Sequence, residues 1–201
     1  MIIAAKEIAE SDKVRRLNLI NGLTGIKPGN LVGTRSQDGQ SNLAIISSVV
    51  HLGSNPALFG FILRPKGEVR RHTHENILSG GYYSINHIPA SMLQQAHYTS
   101  AKFPEQVSEF ERCGFTEQYH EDFPAPFVKE SNIKIGLRFL EELPIKANNT
   151  SLIIGEILHV ELPDTALDDK WQLNLETAGS VGVSGLNAYY SLQKQAEFPY
   201  A

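Results

Sequence analysis

A second cysteine is missing from this chain. Cys113 stands alone among 201 residues, so no internal disulfide can form, which suits a reducing compartment and leads us to expect a cytoplasmic protein. Long apolar runs are missing too. None approaches the ~18 residues of a membrane span, and Ile2-Ile3-Ala4-Ala5 gives way to Lys6 and Glu7 too soon for the apolar region of a signal peptide. Positive charge is in deficit, with 18 Lys+Arg against 22 Asp+Glu and a formal net charge of −4. No broad basic face is available, so nucleic acid is excluded as the main partner. Aromatic residues make up only 8% and are not interleaved with basic ones as single-strand binders require. Repeats, low-complexity tracts and a clear linker are absent, so one domain over residues 1–201 is expected.

Several catalytic signatures are also absent. No Gly-x-Ser-x-Gly elbow occurs; Gly182-Val183-Ser184-Gly185 lacks its spacing. No Gly-x-Gly-x-x-Gly follows a strand. His72-x-His74 could chelate, and His87, His97 and His120 add imidazoles, but no His-Glu-x-x-His or cysteine pair accompanies them, and Arg70 and Arg71 make the local field hostile to a cation. No metal is expected. Glu141-Glu142 and Asp168-Asp169 are sequence neighbours, which on a strand face opposite ways, and read as surface charge. Cys113 recurs with Val107 and Phe110 at helical spacing and reads as a packed thiol.

What is present is mostly strand. Residues 4–21 suggest a helix stopped by Gly22. Leu31–Ser36 and Ser41–Val50 flank Asp38-Gly39, the signature of a hairpin closed by a type I′ turn. Gly53-Ser54-Asn55-Pro56 is a turn, Ala57–Leu63 a third strand and Tyr82–Asn86 a fourth. Short helices are expected over Pro89–Ala96 and Glu105–Cys113, and a loop over Phe115–Glu130 because of Pro124 and Pro126. Ile133–Phe139 alternates as a half-buried strand, and in the next strand Leu152, Ile154, Leu158, Val160 and Leu162 share one parity. Ser180–Leu192 reads as a loop feeding a last short strand. Tight turns between strands point to a mostly β protein, an antiparallel barrel with helical excursions.

One stretch concentrates charge. Arg64-Pro65-Lys66-Gly67-Glu68-Val69-Arg70-Arg71-His72-Thr73-His74-Glu75-Asn76 holds four of the 18 Lys+Arg and two of the seven histidines. It leads into a helix for which Thr73 is the expected N-cap. Cations before the free N–H groups of a helix start describe a site for phosphate or another compact anion. The second strand, Ser41–Val50, scatters Ser41, Asn42, Ser47 and Ser48 through apolar positions, with Ser47 and Ser48 on opposite faces. Buried hydroxyls need partners, and several on one strand suggest that it faces a ligand. Anion site, polar strand and no hydrolytic machinery fit a bound cofactor that carries its own chemistry.

The motif series resembles the flavin reductase-like, FMN-binding split-barrel family. The resemblance rests on Asn30-Leu31-Val32-Gly33-Thr34, Asp38-Gly39-Gln40-Ser41-Asn42-Leu43-Ala44, Ser47-Ser48, Asn55-Pro56-Ala57-Leu58-Phe59-Gly60-Phe61, Arg64-Pro65, Arg71-His72-Thr73-x-x-Asn76-Ile77 and Tyr83-Ser84-Ile85-Asn86. His97-x-Thr99-Ser100-Ala101-x-Phe103-Pro104 and Glu109-Phe110 complete it, so that residues 17–115 are covered closely. It implies a split antiparallel β-barrel, usually a homodimer, holding FMN, with FAD the second candidate. By position, Asn42, Leu43 and Ala44, with Ile45, would lie against the isoalloxazine, backbone N–H groups near its N5 and O4. Ser47 and Ser48 would contact ribityl or phosphate; Arg64, Arg71, His72 and Thr73, with Asn76, would hold the phosphate. Asn86 and the His97–Ser100 segment, with Thr99, would line the pocket, and Gly185–Tyr190 would close it. The implied activity is an NAD(P)H:flavin oxidoreductase, hydride passing from NADH or NADPH to flavin with no side-chain acid or base. The alternatives are a non-catalytic FMN carrier or storage protein and a pyridoxamine-phosphate-oxidase-like relative.

Overall fold

Valine, isoleucine and phenylalanine runs broken by Gly, Asn and Pro turns give short strands that pair with sequence neighbours. The computed structural model describes residues 1–65, 71–104 and 106–199. Two helices open the chain, α1 (Ala5–Glu10) and α2 (Lys13–Leu23). A single helix over 4–21 is thus corrected. The Asp12 carboxylate caps a new helix by accepting from the amides of Val14 and Arg15 at 3.0 Å, and Gly22 lies inside α2. Strands β1 (Lys27–Pro28), β2 (Asn30–Arg35), β3 (Ser41–Ile46), β4 (Val49–Ser54) and β5 (Ala57–Leu63) follow. Next come α3 (His72–Gly80), β6 (Tyr82–His87), α4 (Leu93–Tyr98) and α5 (Glu109–Cys113). The remainder is β7 (Glu117–His120), β8 (Phe123–Val128), β9 (Lys134–Ile145), β10 (Thr150–Glu161), β11 (Val181–Ser184) and β12 (Ala188–Ser191).

Seven strands form one antiparallel sheet in the order β3-β2-β6-β9-β10-β5-β4. Its two edge strands, β3 and β4, are consecutive in the chain and joined only by Ser47-Ser48. That link draws the edges together and curls the sheet into a barrel left open at one seam, the expected split barrel.

The β2–β3 hairpin forms where Asp38-Gly39 placed it. Its turn is not type I′: of the central residues only Gly39 has positive φ, at 90°, and Ser36 N donates to Gln40 O at 2.8 Å. This is a three-residue loop ending in a glycine bulge. Phe115–Glu130 is not a loop but contains the β7–β8 hairpin. Ser180–Leu192 likewise supplies two strands, β11 and β12, which form a small sheet with β1. Tertiary pairing overrides the proline signal in β8, which packs against β2 and β6.

Both faces of β2 are buried, so alternation there separates two cores rather than inside from outside. Val32 joins Phe61, Ile77, Tyr83, Ile85, Leu137 and Ile153 within the barrel. Leu31 joins Leu43, Ile88, Ala96, Phe110 and Cys113 beneath α4 and α5. Cys113 is buried there, and burial first, then the charge of Glu109, push its thiol up to about 11, consistent with the packed role expected. In β10 the core face is Ile153 and Gly155, and the opposite parity is open, with Leu158 and Val160 about half exposed. A bulge in β9 opposite Ile154/Gly155 switches its faces as well.

Candidate functional site

The start of α3 is the centre of the site. Its N-cap is Arg71 rather than Thr73, and no side chain caps it. The first backbone bond runs from Glu75 N to Arg71 O at 3.1 Å, so among the described residues the first-turn amides are left without a side-chain acceptor. Arg64, at the end of β5, and Arg71 line one cavity of about 310 Å³ with His74 and Glu142. Buried Arg71 Nε has no hydrogen-bond partner among the described residues. The carboxylate in this lining, Glu142, accepts or shares a proton with buried His74 Nε2 at 2.9 Å. Lys66, Gly67, Glu68, Val69 and Arg70, the middle of the basic stretch, lie outside the described residues.

Thr73 does different work from the cap expected of it. It lies inside the helix, buried, and its Oγ1 accepts from Asn42 Nδ2 at 3.0 Å. Asn42 Nδ2 also reaches Thr34 Oγ1 at 3.4 Å, and Asn76 Nδ2 donates to the same oxygen at 3.1 Å. The four side chains knot β2, β3 and α3 together beneath the helix start, so each buried polar group has a partner. A second cavity of about 110 Å³ opens on this side, lined by His72 and by Asp38, Glu75 and Glu109. The two sides of the α3 start thus differ in charge: two arginines and one carboxylate face one, three carboxylates and His72 the other.

Along β3 the edge turned away from β2 is already engaged. Leu43 N donates to Glu109 Oε2 at 3.2 Å and Ile45 N to Thr99 Oγ1 at 3.1 Å. Burial is the largest influence on Glu109 and holds its carboxyl above the usual range, against the Leu43 bond and the field of His72. Ala44, Ile45, Ile46 and Ser47 are half-buried, an open strip leading to the seam. At the seam Ser48 Oγ donates to Ile62 O and accepts from Ile62 N, both at 3.1 Å. That clasp fixes β5 two residues before Arg64.

Other expected residues sit further off. Asn86 is fully buried and spends its amide on the protein, donating to Leu31 O (3.1 Å) and Ser84 Oγ (2.9 Å) and accepting from Val128 N (3.0 Å). It joins β2, β6 and β8 and lines neither cavity. His97 Nδ1 meets the Tyr189 hydroxyl at 2.9 Å, and Ser100 Oγ donates to His97 O at 2.7 Å. This segment therefore ties α4 to β12, and through Thr99 to β3.

Two features escaped the sequence reading. Glu142 is not simple surface charge: it pairs across to buried Ile153 and reaches His74. The β9 bulge turns it inward, and residue parity gives no sign of a bulge. On the other side of the sheet His120, His159 and Glu161 converge, their ligand-type atoms all within 4.8 Å of one another. Only His120 stood out in the sequence, because its companions are brought to it by β10.

The fold is a split antiparallel barrel with Arg64, Arg71, His74 and Glu142 around a cavity at the uncapped start of α3. Residues 26–178 match the family model described as "Flavin reductase like domain", and the chain belongs to that family. Among solved structures it is similar to a candidate flavin reductase with a split barrel domain from Shewanella frigidimarina NCIMB 400, with 43% identity, TM-score 0.96 and 100% of each chain covered. It shares its fold with nitrilotriacetate monooxygenase component B from Bacillus cereus (22% identical, TM-score 0.85, 98% of each chain). The same holds for the flavoredoxin of Desulfovibrio vulgaris (Miyazaki F), at 21% identity and TM-score 0.76 over 88% of this chain and 92% of that one.

Proposed function

We propose that the protein is an FMN-binding oxidoreductase that uses NADH or NADPH to reduce flavin. The observation that carries this reading is the buried Nε of Arg71, without a hydrogen-bond partner among the described residues, at the uncapped start of α3, with Arg64 in the same cavity. A guanidinium nitrogen has only donors to offer, and helix amides add more. That donor set fits the terminal phosphate of FMN. Arg64, Arg71 and the first-turn amides from His72 onward would hold it. Thr73 already accepts from Asn42, and among the described residues its hydroxyl proton has no acceptor.

When bound, FMN supplies the two-electron acceptor to which a nicotinamide can deliver hydride. The chain's part is binding and orientation. Because the edge amides of Leu43 and Ile45 are bonded to Glu109 and Thr99, the half-open strip Ala44–Ser47 is the surface we assign to the ring. No side-chain acid or base is required, and none is assigned. We read residues 1–201 as one domain. Large apolar side chains left 41–52% exposed on β4 and β10 (Val50, Leu52, Leu158 and Val160) support a homodimer.

Arg71→Ala is expected to weaken FMN binding about 10- to 100-fold, the loss of a charge-assisted phosphate bond worth roughly 1.5–3 kcal/mol. Quenching of FMN fluorescence on titration with each protein measures it. Equal dissociation constants would mean that Arg71 is merely solvated and would remove the main support for this site.

A further inference from the structure

A cluster on the far side of the sheet is not used by the proposed flavin site. We infer that His120, His159 and Glu161 form a binding site for a divalent cation of the zinc class. The three come from two elements. His159 and Glu161 are two residues apart on β10 and so share a face. His120 ends β7, whose hairpin partner β8 packs on the barrel. Their ligand-type atoms lie within 4.8 Å of one another, and the His120 and His159 rings are 4.5 Å apart between centroids.

Further contacts shape the cluster as a coordination site. Buried Lys134 pairs with Glu161 Oε1. That leaves Oε2 turned to the imidazoles, 2.9 Å from His120 Nε2. Fixing a ligating carboxylate through its second oxygen is the task of an outer-shell partner. Gln118 bridges the pair, accepting from Lys134 Nζ at 2.9 Å and donating to Glu161 Oε2 at 3.0 Å. Phe127 packs against both imidazoles, at 5.1 and 5.5 Å between ring centroids. Glu121 and Asp122 line the adjoining cavity beside His120.

Two imidazoles and one carboxylate favour Zn²⁺, Co²⁺ or Ni²⁺ over Mg²⁺ or Ca²⁺, which prefer all-oxygen shells. A bound ion would replace the His120–Glu161 hydrogen bond, take three protein ligands and leave a position for water. It would also clip the β7–β8 hairpin to β10.

The test is Co²⁺ titration of tag-free, full-length protein, followed by visible d–d absorption and by thermal unfolding. One equivalent is expected to give a tetrahedral-type band that one equivalent of Zn²⁺ abolishes, and either ion is expected to raise Tm. His159→Ala and, separately, His120→Asn are each expected to weaken binding at least tenfold, while His51→Ala, on exposed β4, leaves it unchanged. Absence of the band in the wild-type protein, or equal affinity in wild type, His159→Ala and His120→Asn, would overturn the site. Retention of FMN by the metal-site variants keeps this outcome separate from the flavin reading.

Discussion

His87 carries a pH dependence that has nothing to do with flavin. It ends β6, and its Nδ1 lies 2.8 Å from Ser180 Oγ. Burial lowers its pKa from 6.5 to about 4. The folded-state value is therefore below the unfolded one, and between the two the unfolded chain binds the extra proton. The stability this histidine contributes is full above pH ~6.5 and is lost as pH falls towards 4, at most about 3 kcal/mol. Denaturant midpoints should thus fall more steeply from pH 6.5 to 4 in the wild type than in His87→Gln; parallel profiles would contradict this. Tyr83 offers a second single-residue test. Its hydroxyl is buried without a partner among the described residues, packed against Gly155, and burial raises its pKa. Tyr83→Phe removes an unsatisfied group, so unfolding free energy should hold or rise by up to about 1 kcal/mol. A loss above 1 kcal/mol would show that the hydroxyl has a partner. At this scale the sequence pointed to Arg64, Arg71, Asn42 and Thr73, because residue type announces charge and hydrogen-bonding capacity. It did not reveal the orphan Nε of Arg71, which depends on what surrounds the side chain.

Elements were legible where local chemistry decides them. Asp38-Gly39 announced the β2–β3 hairpin, and Gly81, with φ 74°, closes α3 as a left-handed glycine does. The misses came from tertiary effects. The α3 cap shifted to Arg71 because Thr73 is drawn under the helix by Asn42. The β7–β8 hairpin was hidden by Pro124 and Pro126, yet Pro126 holds its place by accepting from Ser84 Oγ at 2.5 Å. The docking of that hairpin is tight at Gly33 of β2. A Cβ there would overlap the Pro126 carbonyl and come within 2.6 Å of Ser84 Oγ. Backbone cannot yield as a side-chain tip can, so Gly33→Ala should cost about 1–3 kcal/mol and raise amide exchange in 117–128 more than in β10. Uniform exchange across both would contradict the assignment of Gly33 as the hairpin's docking point.

At the scale of the molecule, two serines turn a sheet into a split barrel. Ser47-Ser48 carries the chain from edge strand β3 to edge strand β4, and the Ser48 clasp on Ile62 sets the strand that delivers Arg64 to the helix start. Barrel class could be read from tight turns between strands, and the family from the resemblance carried by ordered motifs in the first 115 residues. The strand faces after residue 139 could not, because bulges at Ile154/Gly155 and Ile157/His159 shift the parity that alternation relies on. The central claim is that the arginine-lined start of α3 holds a flavin reducible by nicotinamide. The most direct measurement is anaerobic addition of NADH, and separately NADPH, to the FMN-loaded protein, with oxidised flavin absorbance followed in time. The account predicts that at least one of them bleaches the flavin far faster than it bleaches free FMN at the same concentration. Flavin that stays yellow with both, or that bleaches no faster than free FMN, would contradict it.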